Sequence, residues 1–150
     1  DKSADFLFKC LFKARLSNQP NSDHIKDGLK MFNTYLTPAL KCVPPGDKPT
    51  REELITCFSY LKAEFDILKN VTTILALGKI AFDSCINFYK ESFPIQNRDY
   101  LFSHASKFVM PDNKILIASY HPSPRNVNTG RIDVNKMVLL LKKVKKILKN

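Results

Sequence analysis

Several things are missing from this 150-residue chain, and each absence excludes something. None of its four cysteines is paired in a C-x-x-C, and no secretory signal precedes them, which argues against a secreted disulfide framework. No apolar run approaches the roughly 20 residues that cross a bilayer as a helix, so the chain is expected to be intracellular, in the cytoplasm, without a membrane partner. Acidic residues are few, 14 against 24 Lys and Arg, and they are scattered along the chain. A phosphoester hydrolase that clusters carboxylates around metal ions is therefore disfavoured. There are no internal repeats and no low-complexity segment. The chain also opens at Asp1, without an initiator Met, directly into a helical pattern. It is expected to be part of a longer protein.

What is present is a globular composition with an excess of positive charge. Hydrophobic residues make up 44%, enough for a core, and the length fits one domain. The formal net charge is +10. That charge favours a polyanionic partner such as nucleic acid, or an anionic membrane surface; a basic surface selected for stability is the plainer alternative.

The pattern alternates helices and short apolar strands. Ser3 to Leu16 reads as a helix capped by Ser3, with Phe6, Leu7, Cys10, Leu11 and Ala14 on its core face. Ser17 to Gly28 reads as a polar loop. Met31 to Lys41, centred on Tyr35-Leu36-Thr37-Pro38, reads as a strand at an edge or strand end, because Pro38 cannot donate to a ladder. Cys42 to Pro49 is dense in breakers. Thr50 and Glu53 form a capping box for a helix whose apolar face is Ile55, Phe58, Leu61, Phe65 and Leu68. Val71 to Leu77 is a buried strand, Gly78 ends it, and a helix runs from Lys79 to about Phe93, with Cys85 in the core beside Phe82 and Phe88. Phe108 to Asn113 turns into a second apolar strand, Lys114 to Ser119. The last helix, Asp133 to Asn150, places Val134, Met137, Leu141, Val144 and Leu148 on one face and lysines over the rest. A basic amphipathic helix can bind membranes, but packing on the sheet with solvated lysines is the stronger reading. Strands alternating with helices of this length give an α/β class with a mostly parallel sheet covered on both faces.

The stretch that organises the chain is Ser119-Tyr120-His121-Pro122-Ser123-Pro124-Arg125-Asn126-Val127-Asn128-Thr129-Gly130-Arg131. It leaves the carboxyl end of a strand, where ligands of open α/β sheets bind. Pro122 and Pro124 stiffen it. His121, Ser123, Asn126, Asn128 and Thr129 supply neutral hydrogen-bonding groups, and Arg125 and Arg131 supply cations. Such a loop suits an anionic, hydrogen-bonding ligand. Taken alone, it is read equally well as a proline turn with His121 capping a strand. Cys42 and Cys57 flank the Pro-rich loop and are half of a four-ligand metal site at most. Without further evidence they read as two unrelated buried cysteines.

Taken together, three motifs resemble one family. They are Cys42-x-Pro44-Pro45-x-x-x-Pro49-Thr50-x-x-Glu53-x-x-x-Cys57, then Leu75-Ala76-Leu77-Gly78-x-x-Ala81, then the His121 stretch. With the opening Asp1-Lys2-Ser3-x-Asp5-x-Leu7 and Asn18-Gln19-Pro20, they are similar to the family 5 (type b) uracil-DNA glycosylases over almost the whole chain. The resemblance implies a three-layer α/β/α sandwich around a four-stranded, mostly parallel sheet. It implies a DNA repair enzyme that excises uracil, or other deaminated bases, from DNA by hydrolysis of the N-glycosidic bond, acting as a monomer. His121, Asn126 and Asp47 would be its catalytic residues. Asp47 is a departure, since the family usually carries Asn there. Ser123, Pro124, Arg125, Val127 and Asn128 would contact DNA, with Arg125 or Val127 filling the space the base vacates. The resemblance also implies a 4Fe-4S cluster, with Cys42 and Cys57 matching two of its four ligands. The family's first cysteine pair, its first strand and its Gly- and Pro-containing pocket motif are absent. Residues 1–150 are thus expected to be one glycosylase-like domain lacking its N-terminal part. The alternative is a basic nucleic-acid-binding α/β module without catalysis.

Overall fold

Helices form where the sequence supplies a cap and an apolar stripe, and the computed structural model describes residues 1–40, 46 and 48–149. Helix α1 spans Lys2–Lys13. Its N-cap is Asp1, not Ser3: the Ser3 amide donates to the Asp1 carboxylate at 2.9 Å. A carboxylate is as good a cap as a hydroxyl, and this one starts the helix earlier. The helix stops at Lys13 because Arg15 turns left-handed, φ 61°, and the Leu16 amide folds back onto the Leu11 carbonyl at 2.8 Å.

The strand expected over Met31–Lys41 is not formed in its described part. A single antiparallel bridge joins Ser17 to Met31, and residues 32–40 run on without a ladder. Tyr35 and Leu36 are exposed, so no sheet face holds them, and Pro38 removes a donor.

Helix α2, Arg51–Ile67, opens with the expected capping box: the Glu53 amide donates to Thr50 Oγ1 at 3.2 Å and the Thr50 amide to Glu53 Oε2 at 2.8 Å. Its apolar face is narrower than the spacing predicts. Cys57 and Leu61 are buried, whereas Ile55 is exposed. The later half of α2 attaches to helix α3, Lys79–Lys90, through a Phe65–Phe88 ring stack at 4.4 Å.

The sheet has three strands among the described residues: β1, Thr73–Leu77; β2, Lys107–Val109; and β3, Ile115–Ser119. Their order is β1-β3-β2. β1 runs parallel to β3, with Leu77 opposite Ser119. β2 runs antiparallel to β3, with Lys107 opposite Ile117. The sheet is therefore mixed rather than mostly parallel, and its three strands agree with a four-stranded sheet whose first strand is absent from these residues. The reason for the mixed pairing is local: β2 and β3 are joined by a tight turn in which the Met110 amide donates to the Lys114 carbonyl at 2.8 Å. A connection that short permits only antiparallel pairing.

The three layers are as expected, because side chains alternate across each strand. Leu75, Leu77 and Ile117 face α1 and the last helix, α5 (Val134–Leu148). Ala76, Leu116 and Ala118 face α3, where Phe82, Cys85, Ile86 and Tyr89 close the core. The apolar face of α5 lies on the sheet, with Met137, Leu140, Leu141 and Val144 buried. Among the described residues, no helix is long and apolar enough to cross a membrane.

Candidate functional site

β3 ends at Ser119, which is fully buried, and the chain then emerges at the carboxyl edge of the sheet. Both flanks of this exit are fastened. On one side the Gly78 amide donates to the Ser119 carbonyl at 2.7 Å. On the other, the Tyr120 amide donates to His104 Nδ1 at 3.4 Å, and the two rings stack in parallel, 5.6 Å apart. Phe102 meets Tyr120 edge-on. Ser119 Oγ donates to the Tyr120 carbonyl at 2.9 Å. His121 is thus held at a fixed point rather than carried on a free loop.

Gly78 has a second role. Its backbone sits at φ 98°, ψ 164°, a region open essentially only to glycine. A Cβ placed there would lie 2.9 Å from the Cβ of His121. The missing side chain lets His121 pack directly on the turn between β1 and α3.

After His121 the chain enters helix α4, Pro124–Asn128. Pro124 occupies its first turn and Ser123 caps it, accepting from the Asn126 amide at 3.3 Å. Asn126 Nδ2 donates to the His121 carbonyl at 2.9 Å, so Asn126 braces the backbone that carries the imidazole. Thr129 Oγ1 donates to the Arg125 carbonyl at 2.9 Å, and Lys136 Nζ to the Gly130 carbonyl at 2.9 Å. The loop closes on Ile132, which is fully buried against α1 and α5.

Desolvation favours the neutral form of two imidazoles, those of His121 and His104. The side chain of His121 reaches solvent, yet the protein around it desolvates the ring enough to lower its pKa from the ordinary value near 6.5. Desolvation lowers the pKa of His104 in the same direction, helped by the nearby charge of Lys136. The acceptor role of His104 Nδ1 requires the same neutral form.

The residues singled out from sequence fall into three sets. His121, Ser123, Pro124, Arg125, Asn126 and Asn128 are brought together along one short segment, with Arg125 and Asn128 exposed. Val127 is half-buried and packs against the α1–α5 core, so of the two side chains offered for the vacated base, Arg125 is the one on the surface. Asp47 and Cys42 lie outside the described residues. Cys57 is buried on α2. Cys10 and Cys85 belong to core clusters on opposite faces of the sheet, and burial pushes their thiols up to about 11 and about 12. They fit a hydrophobic core, not a thiolate cluster. Among the described residues no group of three or more His, Cys, Asp or Glu side chains could hold a metal, so these residues do not by themselves fit an iron–sulfur centre.

Two residues of the site are not apparent from sequence. His104 lies in an irregular stretch, 16 residues before its partner, with no periodicity to mark it. Gly78 shows itself as a strand terminator, but its contact with His121 is tertiary.

Comparison with known proteins places these features. The sequence profile of the Uracil DNA glycosylase superfamily matches residues 1–145. The chain is 34% identical over 147 residues to a type-5 uracil-DNA glycosylase of Thermus thermophilus, covering 98% of the chain and 65% of that relative. It is 36% identical over 143 residues to a type-5 uracil-DNA glycosylase of Pyrobaculum aerophilum, covering 95% of the chain and 60% of the relative. A type-4 uracil-DNA glycosylase of Archaeoglobus fulgidus is 30% identical over 101 residues, which cover 64% of the chain and 48% of that relative. The chain therefore spans less than two thirds of the length of the curated relatives it matches.

Proposed function

Since the chain belongs to the Uracil DNA glycosylase superfamily, we propose that it carries the strand-end half of a DNA repair glycosylase that excises uracil. The observation that supports this most is His121 fixed at the end of β3 by Gly78 and Asn126. In this reading the deaminated base is turned out of the duplex, which costs a few kcal/mol and least at a mismatch such as U·G. The N-glycosidic bond breaks with its electrons going to N1 of uracil, water adds to the sugar, which keeps the hydroxyl, and the proton that water gives up ends on the released uracil. His121 donates a hydrogen bond to the carbonyl oxygen on which the negative charge of the leaving base develops. A preorganised donor of that kind is typically worth about 3–4 kcal/mol. Asn126 positions His121, and its Oδ1 has no protein partner among the described residues, leaving it to orient the base or the water. Ser123 and Arg125, with Pro124 and Asn128 beside them, face the flanking phosphates. Asp47, outside the described residues, is the acidic candidate that the resemblance implies.

The wider assignments follow from the same reading. Residues 1–150 act as part of one glycosylase domain, as a monomer on cytoplasmic DNA. A 4Fe-4S cluster would take Cys42 and Cys57 and two thiolates from outside these residues, since Cys10 and Cys85 sit in separate cores. No step of the reaction runs through it.

The test is release of uracil from a U·G duplex. His121→Ala is expected to lower release about 100- to 1,000-fold with the unfolding transition retained; undiminished release would remove His121 from the mechanism. A second reading, a basic module that binds nucleic acid without cleaving it, is favoured by the net charge of +10. Tight, salt-sensitive binding without release, in the longest product of the gene, would select it.

A further inference from the structure

The strongest feature not used by the site lies at the other end of the sheet. α5 starts beside the His121 loop, where Met137 and Leu141 pack near Tyr120 and Val127. It ends where Ile147 packs near Ile115, at the start of β3. Its 15 residues make it about 22 Å long. There, between the end of α1 and the outer face of α5, lies an open groove of about 700 Å3. Lys13, Arg15, Lys142, Lys143, Lys146 and Lys149 line it. Among the described residues no carboxylate and no aromatic ring lines it, and α5 itself contains no acidic residue. Lys145 Nζ donates to the Arg15 carbonyl at 3.2 Å and ties the two walls together.

The chemistry narrows the occupant. Cations gathered without counter-charges form a field that concentrates polyanions. Most of them are ammonium groups, compact charges that suit phosphate oxygens; planar carboxylates are better met by the guanidinium fork. Without aromatic platforms the groove offers nothing for unstacked bases. What fits is the backbone of a duplex, bound without regard to sequence.

We propose that this groove is a second DNA-backbone site, which holds a duplex segment other than the one presented to His121. A straight duplex lying across the mouth of the sheet does not turn back along the molecule to reach it. The groove's charge stands on its own, but calling its occupant a second segment rests on the assignment of the His121 loop to DNA.

The experiment uses the full protein, at concentrations where it sediments as one copy. A short uracil-containing duplex is immobilised, the protein is bound, and capture of a labelled, undamaged duplex is measured. Wild-type protein is expected to capture the second duplex. The variant with Lys142, Lys143, Lys146 and Lys149 each changed to Gln is expected to lose that capture. Its log affinity against log salt for the undamaged duplex should flatten by about 0.9 for each phosphate that is no longer neutralised. Uracil release from the short duplex should stay within about twofold of wild type, because the changed side chains lie on the second half of α5 and its C-cap, and none belongs to the His121 loop. Unchanged capture and unchanged slope in the variant would overturn the proposal, as would failure of wild-type protein to capture at all. Capture of polyglutamate in place of DNA would overturn it in favour of an acidic polypeptide. Absent uracil release with capture intact would count against the glycosylase reading and leave the groove standing.

Discussion

At the carboxyl end of β3, the chain from Ser119 to Asn126 is fixed by directed bonds from Gly78, His104, Ser123 and Asn126. At the other end, the cations of the α1–α5 groove are tied down far more loosely, with Lys145 bonded to the Arg15 carbonyl across its walls. Each construction suits a different task. A group that must stabilise charge at one atom needs its position set in advance. A surface that attracts a phosphate backbone needs charge density, and flexible ammonium groups adjust to the ligand. The same fold thus supports a stiff site and a soft one, and neither requires the other's construction.

That contrast can be broken most sharply at Gly78. Gly78→Ala forces a Cβ against His121 and a glycine-only backbone conformation, which costs about 1–3 kcal/mol. The melting temperature is expected to fall and uracil release to fall at least about tenfold, the tightness of the site being the reason. An alanine variant with wild-type release would show that the packing of His121 is incidental.

A smaller effect is expected at His104. His104→Ala removes a neutral acceptor and a ring stack, about 1–3 kcal/mol together, and loosens the Tyr120 backbone next to His121. His104→Asn, which keeps an acceptor, is expected to recover part of the lost release. If neither variant changed release while both lowered stability, His104 would be a packing residue alone.

The two histidines also set a pH dependence. Both have folded pKa values below the ordinary 6.5, so the unfolded chain binds more protons than the folded one as pH falls. The stability from their neutral forms is complete above about pH 6.5 and is lost as pH drops through the lowered folded values. Thermal unfolding from about pH 8 down to about pH 5 checks the sign; replacing His104 by Phe is expected to reduce the acid sensitivity. The smallest effect belongs to the groove: neutralising its lysines is expected to leave release from a short duplex almost unchanged.

Much of this was legible in the sequence, for reasons that can be named. The capping box at Thr50, the apolar run Ile115–Ile117 and the stripe of α5 are local signals, and each formed as its pattern dictates; the proline-stiffened His121 stretch, read as a loop, winds into the short helix α4 after Ser123. The three-layer arrangement follows from them. What did not come through depends on distant contacts. The stretch around Tyr35 has strand composition but no neighbouring strand to pair with among the described residues. The pairing of β2 with β3 is antiparallel because of a tight turn, against the parallel rule that helices elsewhere in the chain suggest. Ile55 occupies an apolar position on α2, yet among the described residues nothing covers that side of the helix and it stays exposed. His104 acts through a contact 16 residues away, and no local spacing encodes it.

Single-turnover release of uracil from a U·G duplex, followed from about pH 5 to about pH 9 for wild-type protein and His121→Ala, decides the role of the fixed imidazole. A fixed, neutral His121 predicts a wild-type rate that is level down to pH values below 6.5 and falls only on the acid side. The variant should be about 100- to 1,000-fold slower, without that acid limb. A wild-type rate that rose as pH dropped through about 6.5 would make the imidazolium the donor, and a variant as fast as wild type would contradict the account altogether.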